Sequence, residues 1–417
     1  MKLHWQILIA LLLAIVAGVL AFDPSKTSLA YRIFDFIGLA FLNALKMLIV
    51  PLIMSSIICG IANIGEQGGI GRLGVKTVGY YMTTSLLSIL IGLLFVNILS
   101  PGIIDGEPAR ERIGLSAETD EITEKIGGRG AGDIAGIFLR MLPPNIVMAA
   151  AEGQMLGLIF FGLLFGFLMT RIEGSKREVL TLFWNGVLDV MMAMTNLIMK
   201  FAPIGVFGLV AKVVSSTGIG VFVPLAYFFF TVLGALAAHF FIVLPGLLWF
   251  MGGISPVRHY RIMLPAILTA FSTSSSAATL PITMDCVEHQ AGVSNRTTSF
   301  VLPLGATVNM DGTALYECIA AMFIAQAYGL NLGLVEQFTV VLTALLTSIG
   351  VAGIPAASLV AISIILSAVG LPLEGIGLIL AVDRVLDMCR TVVNVFSDSC
   401  GAVIIARSEG EKGVLAG

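Results

Sequence analysis

The sequence predicts an all-α polytopic membrane protein, and three observations support this prediction. First, 57% of the 417 residues are hydrophobic and only 12% are charged. Second, the mean hydropathy is +1.00, which is not the composition of an ordinary soluble domain. Third, the apolar residues form runs of about 20, the length that an α-helix needs to cross a bilayer.

Six apolar runs come before residue 255, and each predicts a membrane-spanning helix. A cleaved signal peptide is an alternative for the first run, although its positive start is short and further apolar runs follow at once. Lys and Arg fall in every second loop between the runs, which predicts that these loops face the cytoplasm. The acidic segment 101–133 is then an external loop. The runs cover residues 5–22, 34–64, 78–99, 146–170, 180–200 and 222–251.

Charge, cysteine content and histidine positions argue against several other classes of protein. A net charge of -3 gives no reason to expect a nucleic acid partner. The five cysteines lie mostly in apolar segments without metal-ligand spacing, so they are predicted to be packing residues. The histidines are scattered and no nucleophile–base motif is visible, so an enzyme is not indicated. They are His4, His239, His259 and His289.

Beyond residue 255, small and polar residues interrupt two apolar stretches where a spanning helix should be continuous. The interruptions cover residues 271–281 and 348–358. Non-helical backbone at that depth must be buried in protein or line an aqueous cavity, so both predict re-entrant hairpins. Each precedes an apolar helix with polar residues in its middle, at 305–313 and 387–398. Paired segments of this kind are typical of a transporter site, whereas a single one could merely allow close helix packing.

The polar residues near the end of the chain follow a helical spacing. They recur every three to four residues and therefore share one face of a helix. Each ionised group is costly in an apolar helix, so the stripe predicts a ligand site or an ion path. The stripe consists of Asp383, Asp387, Arg390, Thr391, Asn394 and Asp398.

The chemistry of this stripe predicts an acidic amino acid as the ligand. Arg390 has a planar fork of donors that matches a carboxylate, and Asp387, one turn earlier, would accept an ammonium group. Thr391 and Asn394 add neutral hydrogen-bonding groups, and backbone amides at 274–276 could receive the α-carboxylate. The alternative is an internal ion pair of Arg390 with Asp387 that only holds the helix.

Asp398 of this stripe lies in the same apolar region as two further acidic residues, Asp311 and Glu317. Asp311 and Asp398 have no evident cationic partner and lie among residues with neutral oxygens. Hard cations prefer oxygen-rich sites, so the sequence predicts that these two carboxylates bind cations. Glu317 could carry a proton, or it could be a permanently neutral, hydrogen-bonded group.

These polar strings are similar to those of a known family. Residues 80–85 and 202–207 extend the likeness to nearly the whole chain, and the Asn-Met-Asp-Gly-Thr string that begins at Asn309 is its most specific part. The strings resemble those of the glutamate transporter family of dicarboxylate/amino acid:cation symporters. They lie at residues 272–281, 309–316, 348–355 and 387–394, with Asp398.

The resemblance implies an architecture. It implies eight transmembrane helices and two re-entrant hairpins in inverted repeats, in a homotrimer that works as an elevator-type transporter. Compact loops favour a prokaryotic inner (plasma) membrane, with both termini cytoplasmic. The implied division is 1–72 for scaffold helices 1 and 2, 73–134 for transport-domain helix 3 and the external loop, 135–215 for scaffold helices 4 and 5, and 216–417 for the rest of the transport domain (helix 6, hairpin 1, helix 7, hairpin 2 and helix 8).

The resemblance also implies binding positions. The substrate would contact Ser274, Ser275, Ser276, Met310, Thr313, Ile354, Asp387, Arg390, Thr391 and Asn394. One sodium site would use Asn309, Asn394, Asp398 and the Gly305 carbonyl, and a second Tyr81, Thr84, Ser85 and Asp311. A third would use backbone oxygens near Thr307, Ser348, Ile349 and Val351. Glu317 matches the proton carrier of animal members, whereas relatives that move no proton often have Gln there.

Some positions depart from the family pattern. Val351 stands where relatives often have Thr, and Ser358 where many have Gly. Ser274 and Met388 stand where some archaeal members and the animal members, respectively, have Arg. Potassium counter-transport is therefore left open. Asp383 is expected to pair with Arg384 or with solvent.

The sequence therefore predicts a symporter that imports glutamate or aspartate with sodium ions, with a proton as an open addition. The alternative is a proton-coupled C4-dicarboxylate symporter, which would explain Arg390 but leave Asp387 without an ammonium group. A channel is a third class, but no charged ring repeats around a pore.

Overall fold

The computed structural model describes residues 3–66, 72–110, 139, 141–152, 154–350 and 357–415. These ranges are almost wholly helical. The strands found in them form one short antiparallel hairpin, Ile103–Ile104 with Glu107–Pro108. The all-α membrane fold predicted from composition is confirmed.

The helices are numbered in chain order. They are α1 Leu3–Leu20, α2 Leu29–Glu66, α3 Arg72–Leu99, α4 Ile146–Ala151, α5 Met155–Met169, α6 Gly174–Lys200, α7 Ala202–Thr217, α8 Phe222–Ala238, α9 Leu244–Gly252, α10 Pro256–Thr273, α11 Ser276–Asp285, α12 Asn295–Val308, α13 Asp311–Ala327, α14 Leu334–Gly350, α15 Ala357–Val369 and α16 Ile376–Ser408. Short π-helical segments follow α8 (His239–Val243) and α11 (Cys286–Gln290), and 3-10 turns precede α8 and α16 (Gly218–Val221 and Leu373–Gly375).

Six helical stretches in the described part of the chain are long and apolar enough to cross a membrane. Three other apolar helices are shorter, at Trp5–Leu20, Met155–Met169 and Leu334–Ser348. The six long stretches are Leu29–Ala62, Arg72–Leu99, Gly174–Lys200, Ala202–Gly220, Phe222–Gly252 and Val382–Ser408.

The predicted run at 146–170 is not one helix. The short helix α4 ends at Ala151, and α5 begins only at Met155. Asn145 starts α4, because its side chain accepts hydrogen bonds from the backbone N–H groups of Val147 and Met148. The hydropathy of the run did not predict this break, because the residues on both sides of it are apolar.

Helix α7 was not among the predicted runs. Helix α6 ends at Lys200, and Pro203 lies in the first turn of α7. Proline has no N–H and is tolerated at a helix start, so it separates two helices that would otherwise run on as one. The stretch Ala202–Gly220 is therefore an apolar helix long enough to cross a membrane that the six-run prediction missed.

The helices pack in two groups. Helix α2 packs against α5, α6 and α7, and α7 also packs against α1. Helices α3, α8, α10 and α12 pack around α13 and α16, which also pack against each other. In the first group, Gly205 lets α7 approach α2 closely, since a Cβ there would lie 2.2 Å from the ring of Phe41.

The first predicted interruption is a break between α10 and α11. Ser274 lies between them with φ of 51°, a left-handed conformation that ends α10. The π-helical segment Cys286–Gln290 packs back against α10, so the two helices form a hairpin. The second interruption separates α14 from α15, which also pack together, and residues 351–356 between them lie outside the described residues.

The segment that follows α16 folds back onto the first hairpin, formed by α10 and α11, and onto the start of α12. The backbone N–H of Leu415 donates to the Ala291 carbonyl at 2.8 Å. The Glu411 carboxylate accepts hydrogen bonds from the Ser294 backbone N–H at 2.8 Å and the Thr297 hydroxyl at 2.5 Å. The end of the chain thus connects the ends of α11, α12 and α16.

Candidate substrate and cation sites

The residues predicted to bind cations lie around the break between α12 and α13. Helix α12 ends at Val308, Asn309 and Met310 are non-helical, and Asp311 is the first residue of α13. The helix dipole favours an anion in this first turn. The sequence predicted polar residues here but not the break, for which the poor helix former Asn309 was the available signal.

Asp311 is completely buried and accepts several hydrogen bonds. Its Oδ1 accepts from the Ser85 hydroxyl at 2.8 Å. Its Oδ2 accepts from the Ser397 hydroxyl at 2.6 Å and lies 3.2 Å from Nε2 of His239. Ser85 was predicted to lie here, whereas Ser397 and His239 were not. Ser397 falls between two residues of the polar stripe, but no spacing in the sequence connects His239 with Asp311.

Asn309 connects this group to Asp398. Its Nδ2 donates to Asp398 Oδ1 at 2.9 Å and to the Ser397 hydroxyl at 3.1 Å. Its Oδ1 lies 3.4 Å from the hydroxyls of Thr84 and Ser85. The predicted sodium-binding carboxylates therefore lie in one buried network of oxygen-rich side chains, and this composition suits a hard cation.

Gly305 provides the space beside Asp398. A Cβ at Gly305 would lie 2.5 Å from Asp398 Oδ1 and 2.5 Å from the Tyr81 hydroxyl. That hydroxyl donates to the Val301 carbonyl at 2.8 Å. The structure therefore brings Tyr81, Gly305 and Asp398 together, although the family resemblance implied that Tyr81 and Asp398 belong to different sodium sites.

Asn394 connects α16 to the first turn of α13. Its Oδ1 accepts a hydrogen bond from the Gly312 backbone N–H at 2.8 Å, and its Nδ2 donates to the Thr313 hydroxyl at 3.2 Å. Thr391, by contrast, donates to the Asp387 carbonyl within α16 at 2.8 Å. Thr313 and Asn394, both predicted substrate contacts, are therefore adjacent.

Arg390 is the largest fully buried side chain in the described part of the chain, with 1% of its surface exposed. Its Nη2 donates to Asp387 Oδ1 at 2.9 Å, and its Nη1 lies 3.0 Å from Asp383 Oδ1. Its Cζ lies 3.9 Å from the ring centroid of Tyr316, a cation–π contact. Arg384 lies 3.4 Å from Asp387 Oδ2.

The internal ion pair that the sequence left open is present, and it is larger than expected. Asp383 pairs with Arg390, a partner that was not expected for it, and keeps 19% of its side chain exposed. Asp387 contacts both arginines and keeps 36% of its side chain exposed, whereas the Arg390 side chain is 2% exposed. Asp387 and Arg384, which is 34% exposed, are thus the members of the group that an incoming ligand can most readily reach.

The tip of the first hairpin presents a helix N-terminus. Ser275 caps α11, since its hydroxyl accepts from the Ala278 N–H at 3.2 Å, and Ser276 is the first helical residue. Backbone N–H groups at a helix start favour anions. Helix α11 packs against α16, which carries Arg390.

Comparison with known proteins agrees with this geometry. A family model described as the sodium:dicarboxylate symporter family matches residues 3–408. The chain belongs to this family. The chain is 35% identical to a proton/sodium-glutamate symport protein of Geobacillus stearothermophilus, over 98% of this chain and 95% of that protein.

Two other relatives of this symporter family come from distant organisms. A proton/glutamate-aspartate symporter of Escherichia coli K12 is 35% identical over 98% of this chain and 93% of its own length. Excitatory amino acid transporter 3 of Mus musculus is 36% identical over 97% and 85%. The resemblance stated from the motifs is therefore confirmed.

Part of the predicted site of this symporter lies outside the described residues. Val351 and Ile354 are among these, and of Ile349 only the helical backbone is described. Ser348 and Thr307 are described, and each hydroxyl donates within its own helix, to Leu345 at 2.8 Å and Leu304 at 3.0 Å. The third predicted sodium site therefore stays a prediction.

Glu317 is buried in α13, with 2% of its surface exposed. The Thr347 hydroxyl lies 3.4 Å from its Oε2, but this hydroxyl also lies 2.9 Å from the Thr343 carbonyl. Because Thr347 has a closer acceptor, it is a weak partner for Glu317. A proton on Glu317 would relieve the cost of a buried charge.

Proposed function

We propose that this protein is a secondary active symporter that imports glutamate or aspartate together with sodium ions. The observation that carries the proposal is the pairing of a fully buried Arg390 with a partly exposed Asp387 on α16. The relatives named as glutamate or glutamate-aspartate symporters support this substrate class.

An acidic amino acid fits the charges of this site. Its side-chain carboxylate would bind the guanidinium of Arg390, and its ammonium group would bind Asp387. The ligand would thus replace one internal ion pair by two, so that neither the buried Arg390 nor the partly exposed Asp387 loses a partner in the exchange. Asp383 and Tyr316 already contact Arg390 and would hold it in place during this exchange.

Sodium ions would bind in the network of Asp311, Asn309 and Asp398. Their binding would fix the break between α12 and α13, and Asn394 would transmit this to the substrate site through Gly312 and Thr313. Coupling then follows from linkage, because sodium and substrate each favour the conformation that the other binds. Glu317 would add a proton to the transported ions.

The finer architecture is part of the same proposal. Eight transmembrane helices and two re-entrant hairpins would form a homotrimer in the plasma membrane, with both termini in the cytoplasm. The group around α2 and α7 would be the scaffold, and the group around α13 and α16 would be the mobile transport domain of an elevator mechanism. Closure of the second hairpin over bound substrate would permit the loaded domain to cross.

One observation keeps the dicarboxylate alternative testable. Asp387 is already paired with Arg384 and Arg390, so it does not require a substrate ammonium group. A proton-coupled C4-dicarboxylate symporter would use Arg390 in the same way. The relatives described above are named as glutamate and glutamate-aspartate symporters, which does not favour this alternative.

Uptake into proteoliposomes tests the proposal. Aspartate, glutamate and succinate would be compared under an inward sodium gradient and, separately, an inward proton gradient. We expect sodium-driven uptake of an amino acid. Proton-driven uptake of succinate alone would assign the protein to the dicarboxylate class.

Substitution of Arg390 tests which group recognises the side-chain carboxylate. Arg390→Ala should abolish uptake of aspartate and glutamate, because the acidic side chain loses its partner, while uptake of neutral amino acids is retained. Arg384→Ala is the matched control, since Arg384 also pairs with Asp387 but is 34% exposed. Unchanged aspartate uptake by Arg390→Ala would contradict the assignment.

A further inference from the structure

A buried histidine outside the predicted sites contacts Asp311. His239 has no exposed surface, and its Nε2 lies 3.2 Å from Asp311 Oδ2. It lies on the helix that runs from Phe222 to Gly252, between α8 and α9. It was one of four scattered histidines in the sequence, and only the fold connects it with the carboxylate.

The helix backbone is irregular at His239, and this irregularity positions the histidine for its contact with Asp311. Residues His239–Val243 are π-helical, and the Leu244 N–H donates to the His239 carbonyl five residues earlier. Pro245 follows and has no N–H to offer. The Phe240 carbonyl accepts instead from the Tyr260 hydroxyl of α10. The extra residue in this turn sets the register of the helix at His239.

The hydrogen bond fixes which ring nitrogen carries the hydrogen. Nδ1 of His239 is buried and has no hydrogen-bond partner in the described part of the chain. The carboxylate oxygen of Asp311 can only accept, so Nε2 must be the donor. The imidazole therefore donates its Nε2–H hydrogen to Asp311.

The three donors around Asp311 are divided unequally between its two oxygens. Ser397 and His239 donate to Oδ2, one from α16 and one from the helix of α8 and α9, whereas Oδ1 faces Ser85 and, beyond it, the Asn309 amide oxygen. Two donors from different helices on one oxygen fix the plane of the carboxylate. Oδ1 is then held toward the neutral oxygens that would complete a cation site.

We propose that His239 is a positioning residue for sodium binding, which orients the Asp311 carboxylate by donating a hydrogen bond to Oδ2. This inference rests on the proposed sodium site at Asp311 and deepens it. It assigns no direct contact between His239 and the ion. Metal-binding groups are generally oriented by such partners, whose loss typically lowers metal affinity by 10- to 100-fold.

The molecule contains a matched control for this role. His259 is also completely buried, its Nε2 lies 2.9 Å from the Ser399 hydroxyl, and its Nδ1 has no hydrogen-bond partner among the described residues. It differs from His239 in that its partner is a hydroxyl and not the carboxylate of Asp311. A general effect of removing a buried histidine should therefore appear in both.

The test is a sodium titration of thermal unfolding of the purified protein in detergent, which requires no transport. His239→Leu should raise the sodium concentration at the midpoint of stabilisation by about tenfold or more. His239→Gln keeps an N–H at similar reach and should stay within about threefold of the wild type, whereas the shorter His239→Asn should resemble the leucine variant. His259→Leu should keep the wild-type midpoint even if it unfolds at a lower temperature.

Asp311→Asn separates this inference from the proposed sodium site. If Asp311→Asn and His239→Leu both leave the midpoint unchanged, the sodium site itself is wrong. If only Asp311→Asn raises it, the positioning role is wrong. An equal rise of the sodium midpoint in His239→Leu and His259→Leu would also overturn the positioning role. Should His239→Leu fail to fold, the comparison of Gln with Asn at position 239 decides the question.

Discussion

Gly305→Ala isolates the space beside Asp398 as a requirement for sodium binding. Glycine in a helix interior is less favourable than alanine by about 1 kcal/mol, so this change alone should stabilise α12. The added Cβ, however, would lie 2.5 Å from Asp398 Oδ1 and from the Tyr81 hydroxyl. Both groups would have to move by about 1 Å to reach ordinary contact, and overpacking of this kind typically costs about 1–3 kcal/mol.

The larger effect should appear only in sodium. A binding site tolerates displacements of about 0.5 Å, so the shift of Asp398 should remove one ion site. A ligand at 100 times its dissociation constant stabilises a protein by about 2.7 kcal/mol, and this contribution should be lost. The unfolding temperature of Gly305→Ala in detergent should therefore change little without sodium and fail to rise normally when sodium is added.

A second glycine provides the control. Gly79 lies within α3, is exposed, and has no atom within 4 Å of a Cβ built on it. Gly79→Ala should gain the helix-propensity benefit and keep the full sodium response. If Gly305→Ala responds to sodium at the wild-type concentration, Gly305 is not part of a cation site and the reasoning from its close contacts is refuted.

Two further predictions concern acidic residues. Glu317→Gln should keep sodium-driven uptake in proteoliposomes but lose any response to an inward proton gradient, since an amide takes up no proton; a retained response would exclude Glu317 as the carrier. Burial disfavours the charge on Glu411, but hydrogen bonds from Ser294 and Thr297 outweigh it and lower its pKa. Its carboxylate should therefore stabilise the fold above the ordinary Glu pKa of about 4.3, with the contribution lost as pH falls through the lowered value. Glu411→Gln should unfold at a lower temperature than the wild type at pH 7, and this difference should shrink below pH of about 4.3. A difference that does not depend on pH would contradict the hydrogen bonds from Ser294 and Thr297.

The sequence was sufficient to predict most features that depend on the residues of one helix alone. The polar stripe of α16 follows from a spacing of three to four residues, and the break at Ser274 follows from a run of small polar residues. The oxygen-rich residues Asn309, Asp311 and Asp398 were recognisable by type. These features depend on local spacing and on the cost of polar groups in an apolar helix.

The pairing of Asp383 with Arg390 lies within α16, and their spacing of seven residues places both on one face, so this pair was missed although the sequence carried the signal. Features that depend on contacts between helices, by contrast, could not be predicted. The contact of His239 with Asp311 joins residues 72 positions apart and depends on a π-helical turn. The break after Val308 competes with strong apolar flanks that favour a continuous helix.

The folded-back end of the chain has a consequence for choosing boundaries by similarity. The family match stops at residue 408, but Glu409 forms an ion pair with Lys76 at 2.5 Å, and Val414 is completely buried. A version shortened to the matched region, or a reporter protein fused directly after Ser408, would remove these interactions. The stable unit for expression and purification therefore extends at least to Leu415, beyond the region that the family model matches.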